Sequence, residues 1–587
     1  MDRKKLGWRL IEGFVLLVLL MCLGVLLWGM TRSLRSLETR TADAPAFMPG
    51  ESEADTPSEA AESTAAASEA TAAPELTATP EPTALPAFEP VERASDVITS
   101  TAILAGGEVV DSYEADEAHV IDFGGADDYT GMEGIVTFRG NNFRNTSSYG
   151  LAALNAAAFG DYWTVTTSGM SGGGSYWGGS GWTGQPLIVR WPDQTKQIMN
   201  MYDWARSKED LIEVVYATLG GRVYFIDLET GEQTRDSLYL GYPFKGAGSL
   251  DPRGYPLMYL GGGVSGEGTP RIMVVSLIDG EVLYTIGDND SFAPRSWSAW
   301  DSAPLVDAET DQLIYPGENG VLYLIDLNSD YDETAGTISV DPEVVKFTYT
   351  SSTADRYYYG MEDSAIAWRG HLFIADNGGD FLCIDLNTLQ IVWHFDCLDD
   401  TNCTGILEVD DTGHPYIYLS TSFHLGWRSS GIAEIPVWKI DAVTGEEVWH
   451  HSYDCHSVSD LSGGVQGSLS LGTGPLDGIL YVAVARYPNG ENGTLVALDT
   501  ETGEEVWTYQ SGSYSWSTPV TFYDTDGKGY VLYTSCIQGV MHLMDGLTGD
   551  LLDTFPFGCT MEATPVVYNN IVVIGTRAEE IYGITLE

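Results

Sequence analysis

Apolar and polar positions alternate along the last two-thirds of this chain in one short recurring pattern. It reads apolar-apolar-x-apolar-Asp-x-x-Thr-Gly-Glu-x-x-Trp. The clearest copies occupy residues 438–449 and 496–507. Weaker copies centre on Asp227, Asp279, Asp326, Asp385 and Asp545, and a half-copy covers Ile581 to Ile584. An apolar run ending in Asp predicts a buried strand. The Asp and Thr-Gly supply a tight turn with positive φ at Gly, and the next strand carries an aromatic residue. Recurrence every ~40 to 60 residues marks an array whose units bury their faces against one another.

A second set of positions gives the same count. Segments leading into an innermost strand occur near residues 183–188, 248–250, 301–306, 363–366, 404–407, 467–469, 516–520 and 562–567, one before each Asp-centred copy. The last copy ends at Glu587 with no outermost strand, while Asp161 to Thr166 has the outer-strand pattern with no blade before it. The expected fold is therefore all-β: an eight-bladed propeller of four-stranded blades, closed when the early strand completes the last blade.

The N-terminal region reads differently. Arg3, Lys4, Lys5 and Arg9 precede an uninterrupted apolar run over 13–30, long enough for a transmembrane helix. Thr31-Arg32-Ser33-Leu34-Arg35 follows, which is no signal-peptidase site, and Cys22 follows Leu20-Met21, which is no lipoprotein site. The run is expected to be an uncleaved signal anchor with residues 1–12 in the cytoplasm and the bulk outside. Residues 42–93 are rich in Ala, Ser, Thr, Pro and Glu, the composition of a disordered spacer. The stretch 96–128 is read as a loosely ordered lead-in. Residues 31–128 thus form the linker and 129–587 the propeller.

The formal charge of −56 excludes nucleic acid as a partner and repels anionic polymers. It either keeps an exposed protein soluble or draws cations and basic partners. Seven cysteines include no adjacent pair and no C-x-x-C. Cys383 and Cys536 read as small core residues; Cys397 and Cys403 are near enough in sequence for a local disulfide, and the sequence leaves their state open. The string Gly169-Met170-Ser171-Gly172-Gly173 matches G-x-S-x-G but has no helix pattern after it. His450, His451, Cys455 and His456 match no zinc spacing. Asp524-Thr525-Asp526-Gly527 lacks the distal Glu of an EF-hand and reads as a hairpin turn. Trp393, Trp449 and Trp507 recur in register with the repeat, as inter-blade packing residues do. Asp301, Asp363, Trp516 and Glu562 occupy matching positions at the mouth of the central channel. The three acids there are candidates for a metal, Ca²⁺ being the ion considered, and Trp516 for ligand contact. The alternative is that these acids are simply solvated.

The repeat ending Thr-Gly-Glu-x-x-Trp resembles those of quinoprotein-like propellers, over about residues 131–587. The segment Thr137-Phe138-Arg139-Gly140-Asn141-Asn142-Phe143-Arg144 is similar to the lead-in ahead of many such propellers. The superfamily includes pyrroloquinoline quinone (PQQ) alcohol and glucose dehydrogenases. It also includes non-enzymatic relatives, among them the propeller lipoprotein of the outer-membrane β-barrel assembly machinery. In the dehydrogenases the cofactor lies between a Trp and a disulfide of adjacent cysteines, with Ca²⁺ beside a catalytic Asp. No adjacent cysteines exist here, and no segment carries the Ca²⁺ and catalytic residues. The resemblance therefore implies the scaffold without PQQ. The expected function is a non-catalytic binding or assembly scaffold anchored at a bacterial cell envelope, with an envelope protein or small cationic ligand as partner. The alternative is an extracytoplasmic PQQ-type oxidoreductase using the central funnel.

Overall fold

The computed structural model describes residues 88, 92–182, 184–353, 358–423, 431–457 and 463–587. Eight antiparallel sheets follow one another along the chain from Leu187 to Leu586, each a blade of the propeller. Blade 3 is representative, with strands Leu305–Asp307, Gln312–Pro316, Leu322–Asp326 and Glu343–Ser351. The first three strands of a blade are almost wholly buried, while the outermost alternates between covered and exposed positions.

The repeated Asp ends the third strand of its blade and builds the turn. Asp499 Oδ1 accepts from the backbone N–H groups of Glu501 (3.0 Å) and Thr502 (2.8 Å), and Asp441 does the same for Val443 and Thr444. Gly445, Gly503 and Gly549 then take φ of 68°, 72° and 74°, which an L side chain rarely adopts. Each turn glycine faces the tryptophan of the preceding blade. A Cβ on Gly445 would lie 2.6 Å from the Trp393 ring, and one on Gly503 would lie 2.7 Å from that of Trp449. The indoles also donate into these turns: Trp393 Nε1 to Ala442 O (2.9 Å), Trp449 Nε1 to Thr500 O and Trp507 Nε1 to Gly546 O (both 3.0 Å). The two ends of the sequence repeat are therefore partners across a blade boundary. Beside each of these tryptophans the strand register slips by one residue.

The ring closes as the pattern predicts. Phe159–Thr166 pairs antiparallel with Glu580–Leu586 as the outer strand of blade 8. It also carries Trp163, whose Nε1 donates to Leu228 O (2.9 Å) and whose ring covers Gly231 in the turn of blade 1. Closure thus uses the same contact as the boundaries between blades 4 and 5, 5 and 6, and 6 and 7.

One expectation needs correction, and one question the sequence leaves open is answered. The stretch 96–128 is not a loose lead-in: Ile98–Ala105 adds to Glu343–Ser351 as a fifth strand of blade 3 and turns back through Glu108–Val110. The outer strand of blade 3 is nine residues long, and pairing covers an edge that would otherwise be open. Ile121, Phe123 and Tyr129 join the largest hydrophobic cluster, so the folded unit begins well before residue 129. Cys397 and Cys403 are both free thiols. They face different cores, Cys397 that of blades 4 and 5 and Cys403 that of blades 5 and 6, so a bridge would pull each from its packing. Burial pushes the Cys403 thiol up to about 12. Among the described residues no helix is long and apolar enough to cross a membrane. The expected anchor at 13–30 lies outside the described residues, as does the expected spacer at 42–93 apart from residues 88, 92 and 93.

The segment 134–149 crosses the floor of the channel. It bonds to blade 1 through Gly134–Val189 pairing, to blade 4 through Asn142 and Ala367, to blade 5 through Phe143 O, and to blade 8 through Ser147 O. Arg139 and Arg144 are fully buried within it. Arg144 Nε donates to Ala365 O, and its Nη2 to Ala303 O (both 2.9 Å), joining blades 4 and 3. Arg139 Nε donates to Arg144 O (3.2 Å), and its Nη1 to Ser147 Oγ (3.1 Å) and Pro519 O of blade 7 (3.5 Å). Burial lowers both guanidiniums, to about 9 for Arg139 and about 10 for Arg144. The central channel is consequently closed at this end.

The Trp-on-Gly contact is testable against an internal control. Gly413 has φ of 85°, like Gly445 in the left-handed region, but a Cβ there meets nothing within 4 Å. Gly413→Ala should cost only the backbone strain, about 1 kcal/mol. Gly445→Ala should cost ~1–3 kcal/mol more, because it also forces Trp393 out of its seat. Equal losses in urea melts of the two variants would show that the contact does not hold adjacent blades together.

Candidate functional site

With its floor closed, the channel is a funnel of about 640 Å³ open at the other face. Phe138 of the floor segment lines it from below. Its wall comes largely from the segments that lead into innermost strands, as the sequence predicts. Blade 1 contributes Trp182, blade 2 Lys245, blade 3 Asp301, blade 4 Glu362, blade 5 Asp400 and blade 7 Trp516. Two further residues, Trp297 and Glu318, come from blade 3 and the loop before it.

The sequence-derived quartet divides. Asp301 and Trp516 line the funnel. Asp363 does not: it is buried in the wall, where its Oδ2 accepts the backbone N–H of Ala375 (3.3 Å). Glu562 also stands outside the lining. Its Oε2 accepts the backbone N–H of Trp182 (3.2 Å) and lies 3.6 Å from Arg577 Nη1, so it secures a wall residue. In place of the expected trio, carboxylate oxygens of Asp301, Glu318 and Glu362 lie within 4.8 Å of one another, the only such group of potential metal ligands among the described residues. Sequence reasoning came within one residue of Glu362, where strand-like alternation sends its neighbour Asp363 into the wall. Glu318 sits in a Gly-Glu-Asn-Gly loop between the second and third strands of blade 3, a place the repeat does not mark.

The acids are held by indoles. Trp297 Nε1 donates to Glu318 Oε2 (2.7 Å), and Trp182 Nε1 to Glu362 Oε1 (3.4 Å). Asn377 Nδ2 donates to Glu362 Oε2 (3.2 Å) and to Asp400 Oδ1 (2.6 Å). Lys245 is the cation of the lining: its Nζ is 2.5 Å from Asp301 Oδ2 and stands 4.3 Å over the centre of the Trp182 ring. Glu318 Oε1 and Asp301 Oδ1 have no hydrogen-bond partner among the described residues, although Glu318 is only 3% exposed and the Asp301 side chain 4%. Trp182 and Trp516 meet edge to face at 6.1 Å.

Desolvation governs the charges. Burial, with the nearby Glu362 charge, pushes Asp301 up to about 7 even against the ammonium of Lys245. Burial first, then Asp301 and Glu362, holds Glu318 well above the usual carboxylate range; burial and Glu362 do the same to Asp400.

The other motifs have structural roles. Met170–Gly172 and Ser175–Trp177 form a two-stranded hairpin, so Ser171 is on no strand-to-helix elbow. Gly173 and Trp177 of that hairpin overhang the funnel. His450, His451, Cys455 and His456 are spread along the outer strand of blade 5, Glu447–His456. His450 Nδ1 pairs with Glu447 (2.7 Å), whereas His451 Nδ1 reaches Gly503 O (3.0 Å). Asp524 Oδ1 accepts from the backbone of Asp526 and Lys528, making the expected hairpin turn.

The funnel does not fit PQQ. That cofactor carries three carboxylates, whereas among the described residues the lining offers four acids and a single lysine, already engaged by Asp301. The described cysteines are free and none lines the cavity, so no disulfide wall stands beside the tryptophans.

Comparison with known proteins agrees with this architecture. Residues 434–586, spanning the last blades, match the family model of outer membrane protein assembly factor BamB, a PQQ-type repeat. The assembly factor BamB of Kangiella koreensis is 25% identical over 222 residues, 36% of this chain and 48% of that protein. The quinoprotein alcohol dehydrogenase PedH of Pseudomonas putida is 34% identical over 110 residues, 18% of this chain and 15% of that protein. The matches thus span less than half the length of either curated relative. The structure of a quinohemoprotein alcohol dehydrogenase from Pseudomonas putida superposes with a TM-score of 0.51 at 12% identity, covering 77% of this chain and 80% of that one, which shows the fold. Residues 434–586 thus carry repeats similar to those of quinoprotein-like propellers.

The buried acids give the stability a definite pH dependence. Asp301, Glu318, Asp363 and Asp400 are all raised, chiefly by burial. Above their ordinary values the folded state therefore binds more protons than the unfolded chain, and stability falls as pH rises toward the raised values. Burial opposes the shift, but a lysine and backbone N–H donors together lower Asp290 and Asp545, which act oppositely only nearer pH 4; His542, lowered by burial to about 4, and His371, also lowered by burial, act oppositely up to about pH 6.5. Above the range where these histidines titrate, the thermal midpoint should be higher at about pH 6.5 than at about pH 8. Glu318→Gln should raise it at pH 8, by of order 1 kcal/mol, and flatten the profile. A midpoint that climbs from about pH 6.5 to about pH 8 would contradict the burial of these carboxyl groups without enough partners.

Proposed function

We propose that this quinoprotein-like propeller is a non-catalytic binding scaffold of the bacterial cell envelope, held outside the membrane by residues 13–30 and spaced from it by the Ala/Ser/Thr/Pro/Glu segment. The observation that carries the reading is the sign of the funnel. Among the described residues its wall carries four carboxyl groups and one lysine paired with Asp301, which favours cations and disfavours the anionic quinone that enzymes on this scaffold use. The match of residues 434–586 to a family named for outer membrane protein assembly supports a protein partner in the envelope. The dehydrogenase relatives keep the oxidoreductase reading in play at the level of the fold, and the same funnel is wide enough for a small organic ligand.

The partner's basic groups are drawn by the −56 charge over long range and read at short range by the funnel.

Protease added to intact cells should release the propeller by cuts between residues 42 and 93. The released fragment, prepared from cells grown with PQQ and Ca²⁺, should hold no quinone and reduce no dye with alcohols or sugars. Full protection of the chain would overturn the topology, and stoichiometric quinone with turnover would overturn the non-catalytic reading.

A further inference from the structure

The funnel itself narrows the class of cation, an inference that rests on the binding-scaffold reading. We infer that its mouth is a receptor for a primary alkylammonium group, such as a lysine side chain or a diamine, seated between Glu318 and Glu362 against tryptophan faces.

The chain already contains the interaction in miniature. Lys245 places its ammonium 2.5 Å from Asp301 Oδ2 and 4.3 Å over the Trp182 ring, a carboxylate on one side and an aromatic face on the other. That is the arrangement in which a desolvated ammonium is held most strongly by an aromatic wall. The same elements recur beside it without a cation. Glu318 and Glu362 are each fixed by an indole N–H, from Trp297 and Trp182, and both rings line the cavity. Glu318 Oε1 and Asp301 Oδ1, on side chains more than nine-tenths buried, have no partner among the described residues while their carboxylates converge with Glu362 on the cavity. A buried acceptor left unpaired is costly, and an entering N–H donor relieves that cost.

An alkylammonium fits better than a bare divalent ion. The cavity of about 640 Å³ has room for an alkyl body as well as its charge. Its walls include Trp177, Trp182, Trp297 and Trp516, which give apolar contact to a chain and nothing to a hydrated metal. Lys245 also keeps a positive charge against Asp301, so a divalent ion bridging all three acids would meet an ammonium at its side. Three donors on an ammonium match the separate carboxylates of Glu318 and Glu362 together with Asp301 Oδ1.

The test is a calorimetric titration of the full-length chain with 1,5-diaminopentane, with CaCl₂ alone, and with the neutral 1,5-pentanediol. Saturable one-to-one binding of the diamine is expected, with a change in tryptophan fluorescence and no binding of the diol. Glu318→Gln and Glu362→Gln should each weaken it at least tenfold while melting as cooperatively as the parent. Lys245→Met removes the competing ammonium and should strengthen it about tenfold, an outcome that misfolding cannot produce. No diamine binding, unchanged affinity in both Gln variants, weaker binding in Lys245→Met, or Ca²⁺ binding tighter than the diamine would each overturn the inference. Cross-linking in cells separates this from the parent reading: an envelope partner captured equally by wild type and both Gln variants leaves the scaffold standing and removes the funnel from it.

Discussion

The structure depends on two buried guanidinium groups that form no ion pair with a carboxylate among the described residues. An eight-sheet ring is held at its circumference by contacts between neighbours, but its innermost strands face a channel and end in carbonyls that need donors. Arg144 and Arg139 supply those donors from a segment laid across the channel, reaching blades 3, 4 and 7. Leaving a guanidinium dry is expensive, as the lowered values of both groups show, and the cost is offset by satisfying several buried carbonyls at once. The same segment turns a tunnel into a funnel. Without a floor there would be no enclosed site, only a water-filled passage.

From this centre the rest of the molecule follows outward. Acids at the mouth are out of water and outnumber the one ammonium of the described lining, Lys245, so they are strained electrostatically and raised toward neutrality. Farther out, each tryptophan seated on the next blade's turn glycine sets the angle between sheets, and Trp163 applies that rule to the joint between the ends of the ring. Rigidity at the rim and underpaired charge at the centre together make a preformed site, which is what recognition of a charged group requires.

Much of this was legible in the sequence because it is local. The Asp, the turn glycine and the tryptophan lie within one short pattern, so the number of blades and the closing strand could be counted from residue spacing alone. Partnership across blades was less visible, since the pattern shows that Trp449 recurs but not that it covers Gly503. The site was half legible. Asp301 and Trp516 stand at repeated positions and were found, whereas Glu318 occupies a loop that does not repeat. Glu362 differs from Asp363 only by which side of the chain faces the funnel, a choice fixed by the hydrogen bond from Ala375 and not by composition. The strand Ile98–Ala105 was hidden because the acidic residues that follow it made the whole stretch look unstructured, and its stability comes from an edge more than two hundred residues away.

The central claim is that the funnel selects by charge, accepting cations and rejecting anions. Anomalous diffraction from crystals of the chain soaked in caesium bromide tests it most directly, since both ions scatter strongly and are offered at equal concentration. The account predicts caesium between Glu318, Glu362 and the tryptophan walls, with no bromide inside the funnel. Bromide bound within the funnel, beside Lys245 or over the floor at Phe138, with no caesium there, would contradict it.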